Sequence, residues 1–347
     1  MTAGASLSVA CVGAGYFARF HHAAWARIAG ARLTAIADRD WPRAQEAADA
    51  VGGRAYDDPA RMLADAEADI IDLIVPPPAQ PELLDIALAA QPRAIICQKP
   101  FGPSIEVAKQ MCARAEAAGI PLIVHENFRF QPWYRRAKAE IAAGTLGDLH
   151  QVTFRLRTGD GQGPGAYLDR QPYFQTMPRL LIHETAVHWV DTFRYLMGPI
   201  RAVQADLRRM NPAIAGEDAG YVIFHFDDGR RALFDGNRHL DHAADNHRLT
   251  LGEAMIEGTN GTLTLDGQGA LSRRAFGTQE AEVILSAQAY DGFAGDCVHA
   301  LQSHVIDALA GRAPFENLAS DYMVVRRVEA AIYEAAETGA KVEVPDG

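Results

Sequence analysis

The feature that most constrains this chain is a two-glycine turn near its start. Leu7–Val12 is an unbroken apolar run, LSVACV; Gly13-Ala14-Gly15 follows at once, and Phe17–Ala29 has the composition of a helix. A strand that must become a helix within so few residues needs backbone freedom at the turn, which glycine supplies. The spacing G-x-G-x-x-A, from Gly13 to Ala18, also puts a small residue where helix packs on strand.

The same alternation continues. Apolar runs at Leu33–Ala37, Ile70–Val75, Ala94–Cys97 and Leu122–Val124 read as strands, and Pro42–Val51, Pro59–Ala66, Pro81–Ala90 and Ser104–Ala118 read as the helices between them. Three of those helices carry proline at or near the first turn, where its missing N–H costs nothing. Strands that are apolar throughout, alternating with helices, predict a parallel sheet covered on both faces.

After Asn127 the texture changes. Trp133–Ala143 and Glu184–Met197 read as helices. Gln151–Arg157, Ala202–Leu207, Gly220–Phe226, Arg231–Phe234, Arg248–Ile256 and Thr262–Leu265 alternate as strands, with turns such as Asp227-Asp228-Gly229 between them. Phe293–Ala310 and Ser320–Thr338 close the chain as helices. The expectation is an α/β domain over 1–126 and an α+β domain over 127–347 with an open, mostly antiparallel sheet, its C-terminal helix packing back on the first domain.

With 347 residues, 48% of them hydrophobic, two cores are within reach. The net charge of −11 argues against nucleic acid or an anionic membrane as partner, since both call for clustered Lys and Arg. No signal peptide or membrane span is read at the N-terminus. The four cysteines have no C-x-x-C spacing, so reduced thiols and a cytoplasmic location are expected.

A glycine turn opening a helix after a strand suits a pyrophosphate: the backbone can come close, and the helix N-terminus supplies donors. Asp38 ends the next strand, where a carboxylate can accept both ribose hydroxyls and repel a 2′-phosphate; this favours NAD. Arg39, beside it, could receive that phosphate, so NADP stays open.

Two further stretches, LIVPPPAQPELLDIAL and IICQKPFG, complete a resemblance to the Gfo/Idh/MocA family of NAD(P)-dependent oxidoreductases. It extends through ENFRFQPWYRRAKAEIAAGTLGDL to AAIYEAAETGAKVEV, nearly the whole chain. Val75, Pro76, Pro77 and Gln80 fall where that family has Thr, Pro, Pro and His, and Gln98-Lys99-Pro100 falls on its Glu-Lys-Pro. The resemblance implies a Rossmann domain with Gly13, Gly15, Tyr16, Phe17, Asp38, Arg39, Pro76, Pro77, Gln80, Gln98, Lys99 and Asn127 around the cofactor. It implies that Lys99 hydrogen-bonds substrate beside the nicotinamide. Arg129 is open to a second reading, as an ion-pair partner.

Further on, Glu184, His188, Asp191 and Tyr195 recur at helical spacing as one polar stripe, beside the apolar Ala186, Val190, Phe193 and Met197. A Glu one turn before a His can orient its ring. The segment resembles the family's D-x-G-x-H-x-x-D helix, which implies His188 as general acid/base and Glu184 as its orienter. His183 is a candidate substrate contact.

Arg155 and Arg157 alternate on one strand, Arg179 precedes the helix and Arg238 follows; a pair of arginines on one face hints at an anionic sugar derivative, with Arg157 and Arg179 as the substrate contacts. His239, His242 and His247 invite a metal reading, but their spacing supports none. The expected function is hydride transfer between NAD and a secondary hydroxyl of a sugar, cyclitol or sugar acid. A glycosidase using NAD transiently and a non-catalytic nucleotide- and sugar-binding regulator are the alternatives. One face of the open sheet is left to cover, so a homodimer or homotetramer through it is expected.

Overall fold

The computed structural model describes residues 6–345. The chain divides into two compact units, Met1–Asn127 with Val298–Met323, and Phe128–Cys297 with Val324–Gly347.

The first unit runs β1 (Leu7–Val12), α1 (Ala18–Trp25), β2 (Ala31–Ala37), α2 (Trp41–Val51), β3 (Arg54–Tyr56), α3 (Pro59–Asp65), β4 (Ile70–Leu73), α4 (Gln80–Ala89), β5 (Ala94–Gln98), α5 (Ile105–Ala118) and β6 (Leu122–His125). Its six strands are parallel, in the order β3-β2-β1-β4-β5-β6. The order reverses beside β1, and in such sheets ligands bind outside the carboxyl ends of the strands at that point. Local chemistry sets the helix boundaries. Asp40, Asp58 and Ser104 accept a first-turn N–H at the starts of α2, α3 and α5. Gly52 and Gly119 end α2 and α5 in the left-handed conformation.

The second unit is built on β7 (Leu149–Leu156), β8 (Ala202–Arg208), β9 (Ala219–His225), β10 (Arg231–Asn237), β11 (Gly252–Gly258), β12 (Gly261–Leu265), β13 (Leu271–Ala275), β14 (Ala281–Leu285) and β15 (Val342–Glu343). They form one nine-stranded sheet, β14-β13-β12-β11-β7-β10-β9-β8-β15, antiparallel except where β7 pairs with β10. Its helices are α6 (Pro132–Ala142), α7 (Val187–Met197) and the short α8 (His247–Thr250); α9 (Phe293–Leu309) and α10 (Ala319–Thr338) each cross the unit boundary along the chain. Phe154, Phe234 and Phe224 point to one sheet face and are fully buried. Trp189 of α7 stacks on Phe154 at 4.1 Å. The strand expected over Arg248–Ile256 begins only at Gly252, because Asn246 caps a helical turn over His247–Thr250. All four cysteines are free thiols. Among the described residues no helix is long and apolar enough to cross a membrane.

Candidate active site

In the first unit the site grows from the turn after β1. Gly13 has φ +112°, and a Cβ there would lie 2.3 Å from the carbonyl oxygen of Ile74 at the end of β4. Only glycine lets the turn come that close to β4. Gly15 is the opposite case: a Cβ would meet nothing within 4 Å, so the backbone faces open space. Asp38 joins this turn to the end of β2, accepting from the Ala14 N–H at 2.7 Å and the Asp40 N–H at 2.9 Å. A cleft of about 330 Å³ opens here, lined by Gly13, Gly15, Asp38, Arg39, Pro76 and the half-buried apolar Leu83. His22 lies under the turn, bonded to the Gly13 backbone, and its burial lowers its pKa to about 4.

These residues fit a dinucleotide. Gly15 offers a cradle with no side chain in it, Asp38 is held in place by two backbone donors, and Ile74, Val75, Leu83 and Ile86 give a flat apolar ligand a wall. Asn127 is buried, and its Nδ2 has no hydrogen-bond partner, a donor available to an incoming acceptor. Tyr16 and Phe17 do not line the cleft; they pack on Phe20 at 6.1 and 5.3 Å. Pro77 opens the short 3₁₀ turn before α4 and is likewise absent from the lining.

Gln80 and Gln98, expected around the cofactor, both bond neighbouring protein groups. Gln80 is fully buried. Its Nε2 donates to the carbonyls of Gln98 at 2.8 Å, Pro100 at 3.1 Å and Val75 at 3.2 Å, and its Oε1 accepts from the Gly102 N–H at 2.8 Å. Gln98 is also buried: its Oε1 accepts from the Lys99 N–H at 2.7 Å and its Nε2 lies 3.1 Å from His21 Nε2. Each amide is turned onto neighbouring protein groups, so the pair hold the Lys99 turn. Lys99 itself is half-buried at the carboxyl end of β5, and the Lys99–Pro100 peptide is cis.

In the second unit, Leu181–Ala186 is a π-helical turn leading into α7. The expected single α-helical stripe therefore does not extend back past Val187: an inserted residue shifts the phase of everything before it. Glu184 is half-buried and its charge acts on Arg238 and Tyr173. His188 is buried and stacks on Phe128 at 3.8 Å, the rings 5° from parallel. Asp191, next on the stripe, is clamped by Arg129 through two bonds of 2.6 and 2.7 Å. So Phe128 and Arg129, adjacent in one short turn, hold two successive turns of α7.

The expected anion-binding arginines have protein partners. Arg157 is buried and paired with Asp235 at 2.5 Å, while Arg155 is exposed and paired with Glu253 at 3.3 Å. The two do not share a face, because β7 stops at Leu156 and Arg157 turns inward. Arg179 lies over the Tyr333 ring at 4.1 Å. Arg238 is buried, donating to Thr185 at 2.7 Å and to Asp160 at 3.0 Å; Arg170 and Thr158 also bond Asp160. Burial alone would raise the Asp160 carboxyl, but the Arg238 charge and these bonds bring it below its ordinary value. His183 meets Glu329 at 2.5 Å. His239 bonds Asp218, His242 bonds the Arg157 carbonyl and Thr250, and His247 bonds the His242 carbonyl. Among the described residues no group of His, Cys, Asp or Glu could hold a metal.

His21, Asp72 and Asp160 lie outside the expected set of site residues. The signal for Asp72 was present: a lone carboxylate inside the apolar run IIDLIV needs a buried partner.

A family model described as "Oxidoreductase family, NAD-binding Rossmann fold" matches residues 7–126, and the "GFO/IDH/MocA C-terminal domain" matches 134–264. The chain belongs to the GFO/IDH/MocA oxidoreductase family. As a member of it, the chain is an NAD-dependent dehydrogenase acting on CH–OH groups. It is 31% identical over 343 residues to a D-apiose dehydrogenase of Paraburkholderia graminis, covering 96% of this chain and 89% of that one. It is 30% identical over 345 residues to a D-apiose dehydrogenase of Rhizobium rhizogenes, covering 97% of each. The solved structure of an oxidoreductase from Agrobacterium radiobacter in complex with NAD+, L-tartaric acid and magnesium superposes with a TM-score of 0.87, at 28% identity and 98% coverage of both chains.

Proposed function

We propose that this dehydrogenase oxidises a secondary hydroxyl of a neutral sugar. One observation carries the reading: Lys99 stands at the carboxyl end of β5, on a turn pinned by two buried amides, at the same end of the parallel sheet as Gly13, Gly15 and Asp38. That is the end where such sheets bind ligands. NAD, held by Gly13, Gly15, Asp38, Pro76 and Asn127, supplies the hydride acceptor. Asp38 favours NAD over NADP, because it would repel a 2′-phosphate where Arg39, exposed beside it, could only partly offset the repulsion.

In this reading Lys99 hydrogen-bonds the reacting hydroxyl and His188 takes its proton; Glu184, carried out of the α7 stripe by the π turn, acts on Arg238 and Tyr173 instead. Phe128 fixes the plane of the His188 ring by stacking, which orients a proton acceptor before substrate arrives. The arginine pairings favour a neutral polyol over a sugar acid: Arg157 pairs with Asp235, Arg155 pairs with Glu253, and Arg238 shares Asp160 with Arg170. The names of the D-apiose dehydrogenase relatives agree with a neutral sugar. Four free thiols agree with a reducing cytoplasm. The sheet face bearing Tyr221 and Met255, both more than 40% exposed, is the surface we assign to a homodimer or homotetramer.

The test is NADH absorbance with wild type and Lys99→Met, given NAD or NADP, against D-apiose, other neutral sugars, cyclitols and sugar acids. Turnover of a neutral sugar by wild type, and loss of it in the variant with NAD still bound, is the expected result. Preferential turnover of a sugar acid would overturn the substrate class, and undiminished turnover by Lys99→Met would remove Lys99 from the chemistry.

A further inference from the structure

Behind Lys99 the first unit buries a chain of polar side chains that hydride transfer does not call for. Asp72 sits in the middle of β4 and is fully buried; its Oδ2 accepts from His21 Nδ1 at 2.8 Å, Trp25 Nε1 at 2.9 Å and Gln302 Nε2 at 3.4 Å. The other ring nitrogen of His21, also fully buried, lies 3.1 Å from Gln98 Nε2. Gln98 then reaches the Lys99 backbone N–H through Oε1 at 2.7 Å.

This order decides the proton positions. A backbone N–H can only donate, so the Gln98 oxygen must face Lys99 and the Gln98 NH2 must face His21. An amide NH2 can only donate, so His21 Nε2 must accept. The single imidazole proton then lies on Nδ1 and points at Asp72. We propose that Asp72, His21 and Gln98 form a positioning relay for Lys99, in which the Gln98 amide holds His21 neutral as the Nδ1–H tautomer. The inference rests on the reading above that Lys99 works at the reacting hydroxyl. Gln98 and His21 act through Lys99 and are positioning residues.

His21 is enclosed by groups from β4, β6 and α9 as well as from its own helix. His125 from β6 lies against it at 3.9 Å between centroids, the ring of Phe17 from α1 at 5.6 Å, and His22 is its chain neighbour; from α9, Gln302 donates to the His21 carbonyl. Among the described residues Asp72 is the one carboxylate bonded to the ring. Three donors, His21 Nδ1–H, Trp25 Nε1–H and Gln302 Nε2–H, meet the Asp72 carboxyl and favour its charged form. A Glu at position 98 would change the logic: it could still accept from the Lys99 N–H, but its second oxygen would need a proton on His21 Nε2. His21 would become an imidazolium between two carboxylates.

The test uses the full chain with NAD bound and histidine labelled with 15N, the His21 signals being those lost in His21→Gln. Long-range proton–nitrogen spectra near neutral pH are expected to show His21 as the neutral Nδ1–H form in wild type and as the doubly protonated form in Gln98→Glu. An Nε2–H tautomer or an imidazolium in wild type overturns the proposal. The second measurement is kcat and KM for D-apiose with NAD. Gln98→Leu is expected to lower kcat on the order of ten- to a hundredfold with NAD affinity unchanged. Gln98→Glu is expected to recover most of that loss, with a pH dependence of kcat that wild type lacks. Equal losses in both variants with the wild-type pH profile would show packing rather than positioning and refute the relay. If wild type turns over neither D-apiose nor another sugar, the proposed function fails, while the spectra still decide the state of His21.

Discussion

Gly13 and Gly15, two residues apart in one turn, should fail in opposite ways when each is changed to alanine. At Gly13 the added methyl would lie 2.3 Å from a backbone carbonyl oxygen, and φ is +112°. The backbone conformation costs a non-glycine residue about 1–3 kcal/mol. Forcing a methyl against the end of β4, which cannot rotate away as a side chain could, adds about 1–3 kcal/mol. Gly13→Ala should therefore lose about 2–6 kcal/mol of stability, a large part of what a domain of this size has. At Gly15 the methyl meets nothing within 4 Å, so stability should stay within about 0.5 kcal/mol of wild type. The same methyl fills the space through which a pyrophosphate reaches the backbone, and NAD affinity should fall about ten- to a hundredfold. Urea unfolding without nucleotide measures the first quantity, and calorimetric titration with NAD the second. Wild-type NAD affinity in Gly15→Ala would refute the placement of the phosphates; wild-type stability in Gly13→Ala would refute the close approach to β4.

His22 predicts an acid-sensitive fold. Its pKa falls from 6.5 to about 4 in the folded chain, so the unfolded chain binds the extra proton between those values and stability drops as pH falls through that window. At about pH 5 the loss from this group is about 2 kcal/mol relative to neutral pH; unfolding curves of His22→Gln should show a smaller difference between the two pH values, and an unchanged difference would place the sensitivity elsewhere. Removing Arg129 leaves the fully buried Asp191 with Arg194, at 3.6 Å, in place of its bidentate partner, so Arg129→Met should cost about 2–3 kcal/mol in urea unfolding, less than a wholly unpaired buried charge would; a loss under about 1 kcal/mol would show the bidentate pair to be dispensable. Gln80→Leu removes the amide that ties Gln98, Pro100 and Gly102 together. It should lower kcat about tenfold or more with NAD affinity retained, and a selective loss of NAD affinity would return Gln80 to the cofactor site.

Much of this molecule was legible because its signals are local. A proline in the first turn, an Asp or Ser one residue earlier and a glycine after the last turn are short-range chemistry, and α2, α3 and α5 begin where those residues say. The parallel sheet followed from strands apolar on both sides. What was missed depends on partners distant in the chain. β13 and β14 read LSRRA and AEVIL and lie at the edge of the sheet, where little burial is needed and little alternation results. The π turn at Leu181–Ala186 has no residue pattern of its own, so a 3.6-residue period was carried one turn too far. Gln80 and Gln98 occupy positions where the family has ionisable residues, and were read outward toward the cofactor. Both face inward, because an amide offers a donor and an acceptor at once and so can bridge backbone groups on either side of a turn. The counterpart of Gln98 was visible as well: Asp72 interrupts an apolar strand, and a carboxylate in that place requires buried donors. His21 and Trp25, one helical turn apart on α1, supply two of them. The pairing of a misplaced charge with helix residues four apart is therefore the pattern that leads from the sequence to the groups behind Lys99.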